Sequence, residues 1–284
     1  MFRIVKKKIL APSIKLFDVE AGEIAAKAQP GQFVIVKIDE KGERIPLTIA
    51  DFDREKGTIT LIFQEVGRST LEMGEMNEGD SIMTVVGPLG KASDIEKLGK
   101  VICIGGGVGV APIFPITRGF KEAGNHIVSI IGARNQESLI LTEEMKSCSD
   151  ELYIISDDGS TGEKGFVTDK LAEILKKDTN YDLIMAIGPL PMMKAVSELT
   201  RSYNIKTTVS LNPIMVDGTG MCGGCRVHVG NENKFACVDG PEFDGHQVDW
   251  HNVMQRSKMF KGQETMSLEM YHQHGGECQC QKNK

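Results

Sequence analysis

The stretch VICIGGGVGVAPIFPI, residues 101–116, decides the fold. Its first four residues are apolar without alternation, as in a strand buried on both faces of a sheet. Gly105, Gly106, Gly107 and Gly109 then make a turn, and the residues after it can start a helix. Such a turn lets a pyrophosphate approach the backbone, and the helix N-terminus behind it offers N–H groups and the positive end of a dipole. A glycine-rich turn alone is weak evidence. Its place at the first strand–helix junction of an alternating region is what points to nucleotide binding. Two features depart from the usual dinucleotide pattern: Ala111 and Pro112 stand in the final glycine region, and the second strand ends in GARN, with Arg134 where an acidic residue is common. An arginine there can hold a 2′-phosphate or pair with a carboxylate, so NAD(H) and NADP(H) both stay open.

Outward from that stretch, residues 98–212 alternate apolar runs (VICIG, IVSIIGA, LYIIS, DLIMAIG, KTTVSL) with longer polar segments. This predicts an α/β domain with a parallel sheet and helices on both faces. In MAIGPLPMMKAV, residues 185–196, Pro189 and Pro191 are placed to start a helix. Gly188 and Pro189 then lie at the carboxyl edge of the sheet, where open α/β sheets bind ligands; an ordinary strand–helix turn is the alternative. Residues 1–97 read differently. Short runs (FVIVKI, PLTIADF, TITLIFQEV, DSIMTVV) are broken by glycine turns at Gly31, Gly42, Gly57 and Gly79, which predicts an antiparallel β barrel or sandwich. Arg44 and Thr48 lie an even number of residues apart, so one strand face could present a cation and a hydroxyl to a phosphate and a ring nitrogen. A surface ion pair is the simpler reading of Arg44 taken alone.

Residues 213–250 are glycine-rich and irregular, and an ordered loop of that length needs a cause such as a metal centre. Within it Asp217, Cys222, Cys225 and Cys237 are spaced D-x4-C-x2-C-x11-C. This is the plant-type 2Fe–2S spacing with aspartate in the first cysteine's place. Gly218, Gly220, Gly223 and Gly224 let the backbone bend tightly and expose N–H groups toward sulfur. Zinc, with His228 as a fourth ligand, is the competing chemistry. Asp217 is either a ligand or a turn residue beside an open site. Residues 251–284 predict a helix and a frayed tail, HQHGGECQCQKNK, whose Cys278 and Cys280 with His272 and His274 could hold a metal.

Composition narrows the class. The 284 residues are 40% hydrophobic and 25% charged, with a net charge of −6. That balance argues against non-specific nucleic-acid binding, which needs a basic face. No apolar run of about 18 residues could span a bilayer, and no secretory signal fits the first residues. A cytoplasmic location follows as an expectation, with the cysteines Cys103 and Cys148 as core or surface thiols rather than disulfides.

Taken in order, RIPLT (44–48), VGRST (66–70), GPLG (87–90), GGGVGVAP (105–112), DDGSTGEKGFVTD (157–169), GPLPMM (188–193) and the cysteine loop resemble the ferredoxin–NADP reductase superfamily. Within it they resemble the electron-transfer subunit of dihydroorotate dehydrogenase and the small subunit of NADH-dependent reduced ferredoxin:NADP oxidoreductase (sulfide dehydrogenase). The resemblance covers residues 1 to about 250. It implies a six-stranded FAD barrel, a nucleotide domain and a C-terminal iron–sulfur loop. It implies that Arg44 contacts the FAD pyrophosphate and that Pro46, Leu47 and Thr48 line the isoalloxazine, with Thr48 near N5 as the catalytic contact. Phe63 joins the FAD set, and Gly67, Ser69 and Thr70 hold FAD phosphate, although relatives commonly have glycine at Ser69. Gly105 to Gly109 and Gly188 to Met192 would bind the nicotinamide nucleotide. Many relatives have cysteine where this chain has Ile187, so hydride transfer would rely on positioning.

The same resemblance implies that NAD(P)H reduces FAD, that electrons pass singly to a 2Fe–2S cluster on Asp217, Cys222, Cys225 and Cys237, and that a larger subunit with 4Fe–4S clusters and a second FAD takes them onward. Ferredoxin would be reached through that subunit, by electron bifurcation. Aspartate in the first ligand position favours the ferredoxin:NADP oxidoreductase type over the dihydroorotate type, which resembles a four-cysteine pattern. Two rivals of other classes are a flavin or iron–sulfur redox sensor and a zinc-stabilised nucleotide-binding scaffold.

Overall fold

Ile59, Leu61 and Phe63 alternate with more exposed neighbours and are all buried, the two-residue period of a strand with one face in a core. Ile62, on the other face, is buried too, because a second domain covers it. The computed structural model describes residues 1–273. Its barrel is made of β1 (Phe2–Ala11), β2 (Ile14–Glu20), β3 (Phe33–Lys37), β4 (Ile45–Asp53), β5 (Thr58–Gln64), β6 (Ser81–Ile82) and β7 (Thr84–Leu89), with α1 (Gly22–Lys27) and α2 (Arg68–Glu75) between strands. The order is β6-β1-β2-β5-β4-β3-β7, and every pairing is antiparallel. Only Met83 separates β6 from β7. The first pairs with β1 and the second with β3, so one run of chain closes the barrel and removes both open edges. The expected six-stranded barrel is therefore present, its sixth strand broken in two.

The second sheet contains β8 (Lys100–Gly106), β9 (His126–Ala133), β10 (Glu151–Ser156), β11 (Leu183–Ile187) and β12 (Thr207–Ser210). They are joined through α3 (Val110–Glu122), α4 (Thr142–Ser147), α5 (Val167–Lys177) and α6 (Leu190–Arg201). The order β10-β9-β8-β11-β12 is parallel throughout. The chain runs from β8 outward through β9 and β10, then returns to β11 on the other side of β8. The gap between the carboxyl ends of β8 and β11 is thus the topological switch point, where ligands of such sheets bind.

The cysteine-bearing segment forms the hairpin β13 (Arg226–Val229) and β14 (Glu232–Phe235), then β15 (Glu242–Asp244), which adds antiparallel to β12 as a sixth strand. This segment is stitched into the nucleotide sheet rather than hung from it. It is followed by α7 (Trp250–Arg256) and α8 (Lys261–Gln273). Cys278, Cys280 and His274 lie outside the described residues. Among those described, no helix is long and apolar enough to cross a membrane.

The three parts meet at Glu242. Ser93, in the connection between barrel and sheet, donates its hydroxyl to Glu242 Oε1 at 2.5 Å, and the Ser93 N–H reaches the Pro30 carbonyl at 2.9 Å. Burial pushes the Glu242 carboxyl from 4.5 up to about 7, against the opposite pull of the Ser93 hydroxyl. Between those values the folded protein holds a proton that the unfolded chain has released, so stability falls as pH rises from 4.5 through 7, by at most about 3 kcal/mol. Glu242→Gln is expected to raise the melting temperature at pH 8 and leave it near wild type at pH 4.5. Identical shifts at both pH values would show that this carboxyl does not titrate on unfolding.

Candidate functional site

The crevice at the switch point is lined by two glycine turns facing each other. Ile187 of β11 is in register with Gly105 of β8. A Cβ on Gly109 would fall on the Ile187 carbonyl and 2.7 Å from Gly188 Cα, and one on Gly188 would lie 3.0 Å from the Gly106 carbonyl. Only glycine lets these backbones touch. Met192, from the first turn of α6, packs its thioether on both Gly106 and Gly188. Pro189 is the residue before that helix. All the residues read from 105–109 and 188–192 therefore converge on one crevice, with the N-terminus of α3 opening into it. Arg134 is exposed at the carboxyl end of β9, on the same edge of the sheet.

On the barrel, Pro46, Leu47 and Thr48 lie half-buried in β4, opposite Ile35, Val34 and Phe33 of β3. Gly67, Ser69 and Thr70 open α2. The Thr70 hydroxyl accepts from the N–H groups of Val66 (3.0 Å) and Gly67 (3.1 Å), and Ser69 Oγ donates to Glu43 Oε2 at 2.5 Å. Phe63 is elsewhere: its side chain, 2% exposed, lies in the barrel core, edge-on to Phe17 at 5.1 Å. Arg44 immediately precedes β4 and turns toward the cysteine loop, donating from Nε to the Val216 carbonyl at 2.7 Å and from Nη2 to that of Asp217 at 3.3 Å. The flavin strand of the sequence reading and the cysteine loop are therefore in direct contact.

That loop lies flat on the barrel. A Cβ on Gly218, whose φ is +82°, would meet Ile35 at 2.7 Å and Leu89 at 2.9 Å, so this position needs glycine for both space and backbone. Cys225 and Cys237 are buried with their sulfurs 3.2 Å apart. Burial and the neighbouring Cys225 push the Cys237 thiol up to about 12. Cys222 is exposed and its sulfur accepts the Gly224 N–H at 3.4 Å. Asp217 turns into its own loop: its carboxylate accepts the Thr219 hydroxyl and the N–H groups of Thr219, Met221 and Cys222 at 3.2 Å each. The Thr219 hydroxyl is the main cause holding Asp217 down to about 2. Among the described residues no three His, Cys, Asp or Glu side chains converge at metal-binding distance. The structure brings two of the four expected ligands together and leaves Cys222 and Asp217 at the rim. His228 faces Asn233 across the hairpin instead.

Three thiols and a carboxylate on a glycine-hinged loop, with backbone N–H groups directed at sulfur, suit an iron–sulfur cluster in donor chemistry. Two supports were not evident in the sequence. Arg256 of α7 donates to the Gly224 carbonyl at 3.0 Å, pinning the Cys222–Cys225 turn, and Asp239 accepts the Phe235 N–H at 2.7 Å. Arg256 is distant in sequence and lies in no motif. By contrast α8 reaches the rest of the protein through α2, where the Tyr271 hydroxyl donates to Glu75 at 2.6 Å. Truncation after Lys261 is expected to leave iron content unchanged; loss of iron would assign the tail a role in the centre.

Residues 103–198 match the family model of the oxidoreductase NAD-binding domain, and residues 212–249 match that of the iron–sulfur cluster binding domain of dihydroorotate dehydrogenase B. The chain is 46% identical to the dihydroorotate dehydrogenase B (NAD(+)) electron transfer subunit homolog of Thermotoga maritima, over 96% of each chain. It is 50% identical to an uncharacterized protein encoded in the adh 3′ region of Clostridium beijerinckii, over the full length of both. It superposes with a TM-score of 0.91, at 46% identity, on a chain of the NADH-dependent reduced ferredoxin-NADP oxidoreductase, a structure solved for insight into flavin-based electron bifurcation. The match covers 95% of this chain and 98% of that one.

Proposed function

This chain belongs to the family of dihydroorotate dehydrogenase B-type electron-transfer subunits, and on that premise we propose that it moves electrons between NAD(P)H, FAD and a 2Fe–2S cluster and on to a larger partner subunit. The observation that carries the reading is the contact of its sites: Arg44, at the entry to β4, meets the cysteine loop, and α3, which opens the glycine crevice, packs on β4. When bound, the nicotinamide supplies a hydride, the flavin divides the electron pair, and the cluster carries single electrons. The protein's own residues bind and orient. Gly105 to Gly109 and Gly188 to Met192 admit the dinucleotide, whose pyrophosphate takes the N-terminus of α3. Pro46 and Thr48, on one face of β4, would line the isoalloxazine, with the Thr48 hydroxyl toward N5, while Leu47, expected beside them, turns its side chain to the barrel core and could contribute only main chain. Gly67, Ser69 and Thr70 offer the N-terminus of α2 to phosphate. Phe63 supports this surface from within the core. Arg44 serves the FAD pyrophosphate with the guanidinium hydrogens that Val216 and Asp217 leave free.

Val216 (52% exposed), Met221 (89%) and Val238 (39%) form an apolar collar around the cysteine loop, suited to a partner that excludes water from an electron-transfer contact. The likeness to the NADH-dependent reduced ferredoxin-NADP oxidoreductase over 95% of the chain supports a partner through which electrons reach ferredoxin by bifurcation; in this reading that partner holds the 4Fe–4S clusters and a second FAD, and the complex works in the cytoplasm. The match of residues 212–249 to the dihydroorotate dehydrogenase B cluster domain supports a second reading, in which the partner oxidises dihydroorotate. Purification of the native complex separates them: a multi-cluster flavoprotein partner supports the first, and a pyrimidine-pathway dehydrogenase overturns it. Asp217→Cys tests the first ligand position. It is expected to move the cluster potential by about 60 mV or more, a tenfold change in a one-electron equilibrium, and to remove any pH dependence the carboxylate gives. An unmoved potential would make Asp217 a turn residue only.

A further inference from the structure

Asp51 and Arg118 form a bidentate pair across the barrel and the nucleotide domain, with Arg118 Nη2 to Asp51 Oδ1 at 2.7 Å and Nη1 to Oδ2 at 3.1 Å. The same elements carry the two sites. β4 presents Thr48 and, three residues on, Asp51; α3 begins at the glycine crevice and carries Arg118 two turns further along. We propose that the Asp51–Arg118 pair is a positioning device that sets the nicotinamide crevice over the flavin strand. This inference rests on the proposed reading of those two sites.

The chain goes out of its way to make the pair. Ile49 stands opposite Leu61 and Asp51 opposite Thr60, so Ala50 is an extra residue, a β-bulge in β4. Strict alternation would put Asp51 on the inward face with Ile49. Ala50 faces the interface with α3, and the bulge turns Asp51 to the same side, where it meets Arg118. On the helix, Phe114 lies one turn before Arg118, its ring centroid 5.1 Å from the guanidinium carbon, so the fork is held in place before it meets the carboxylate.

Beside the pair the contact of α3 with β4 and β5 is apolar: Ala50 and Ile62 belong to one buried cluster with Val110, Ala111 and the partly buried Phe114. Apolar packing is non-directional, and small side chains such as Ala50 and Ala111 let a helix slide or roll. A planar fork on a carboxylate fixes both. It acts from a distance, because the crevice is about 13 Å up α3 from Arg118 at 1.5 Å per residue, and Thr48 is about 10 Å back along β4. Hydride donor and acceptor must approach within a fraction of an ångström of the reactive distance, so a small roll of α3 lowers the rate without removing a binding contact.

The test uses the FAD-loaded protein and anaerobic stopped flow with NADH, comparing wild type, Asp51→Ala, Arg118→Lys and the exchanged pair Asp51→Arg with Arg118→Asp. Asp51→Ala is expected to lower the limiting rate of flavin reduction about tenfold, to weaken the long-wavelength nicotinamide–flavin absorbance, and to leave the half-saturating NADH concentration within about twofold. Arg118→Lys, which keeps the charge but not the fork, is expected to fall between, and the exchanged pair to recover part of the rate. In cofactor-free protein, Asp51→Ala is expected to speed hydrogen exchange in α3 while β1 and β2 stay protected. Limiting rates and absorbance within twofold of wild type in a folded Asp51→Ala protein would overturn the proposal. A rate loss that only tracks loss of FAD or a lower melting temperature would overturn it too, by showing a structural role. If NADH fails to reduce even the wild-type flavin, the reading of the two sites fails first.

Discussion

Replacing Cys225 with serine is expected to empty the cysteine loop of iron, from about two atoms per chain to a tenth of that or less, while FAD content stays at the wild-type level. Cys225 is the best-placed donor in the loop: it is 2% exposed and its sulfur lies 3.2 Å from that of Cys237. A serine hydroxyl is a poorer donor to iron and is not ionised near neutral pH, and the loop has no spare thiol to offer, since Cys222 and Cys237 already belong to the proposed ligand set. Flavin should survive because Arg44, Thr48 and the start of α2 lie on the barrel, whose core meets the cluster lobe only through side chains of β3 and β7. Iron and acid-labile sulfide assays with a flavin spectrum read both quantities. Retained iron in Cys225→Ser would remove this residue from the ligand set. Bound zinc in wild type in place of iron would favour the scaffold reading.

Gly109→Ala is expected to weaken NAD(H) binding about a hundredfold and to lower stability by about 1–3 kcal/mol. The added methyl would fall on the Ile187 carbonyl and against Gly188 Cα, both main-chain atoms at the end of a central buried strand. Neither can swing aside as a flexible side chain would, so the two turns must part, and the crevice between β8 and β11 opens. Gly107→Ala is the control. Its φ of +57° costs a non-glycine residue about 1–2 kcal/mol, but nothing lies within 4 Å of the new methyl. Gly107→Ala should therefore destabilise without closing or parting the crevice. Isothermal titration with NADH and thermal unfolding of both variants separate strain from collision. Equal losses of affinity in the two would mean that backbone strain, not the contact with β11, governs the site.

Much of this architecture was legible because it is written in local patterns. The strand at 58–64 and the unbroken apolar run before Gly105 depend on residues close in sequence, and both appear where expected; the cysteine spacing is equally local, but of its four residues only Cys225 and Cys237 stand together. Phe63 could have been read better from the same period: it shares a face with Ile59 and Leu61, and that face is the barrel core. What stayed hidden depends on distant pairing. The segment EFD at 242–244 is too short to read as a strand, yet β12 supplies it with a partner. Arg44 was legible as a cation on the flavin strand but not as a donor to carbonyls 172 and 173 residues away. Asp51 was hidden by the bulge, because counting residues along β4 places it on the wrong face.

The most direct test of the relay is an anaerobic titration of the purified, cofactor-loaded chain with NADH, followed by absorbance and low-temperature electron paramagnetic resonance. The expected result is loss of the oxidised-flavin band together with a rhombic signal from the reduced 2Fe–2S cluster, which would place nucleotide, FAD and cluster on one path. Flavin bleaching without that signal, in protein whose cluster dithionite does reduce, would mean that NADH alone does not drive electrons onto the cluster. A purified chain that binds no flavin would contradict the relay altogether.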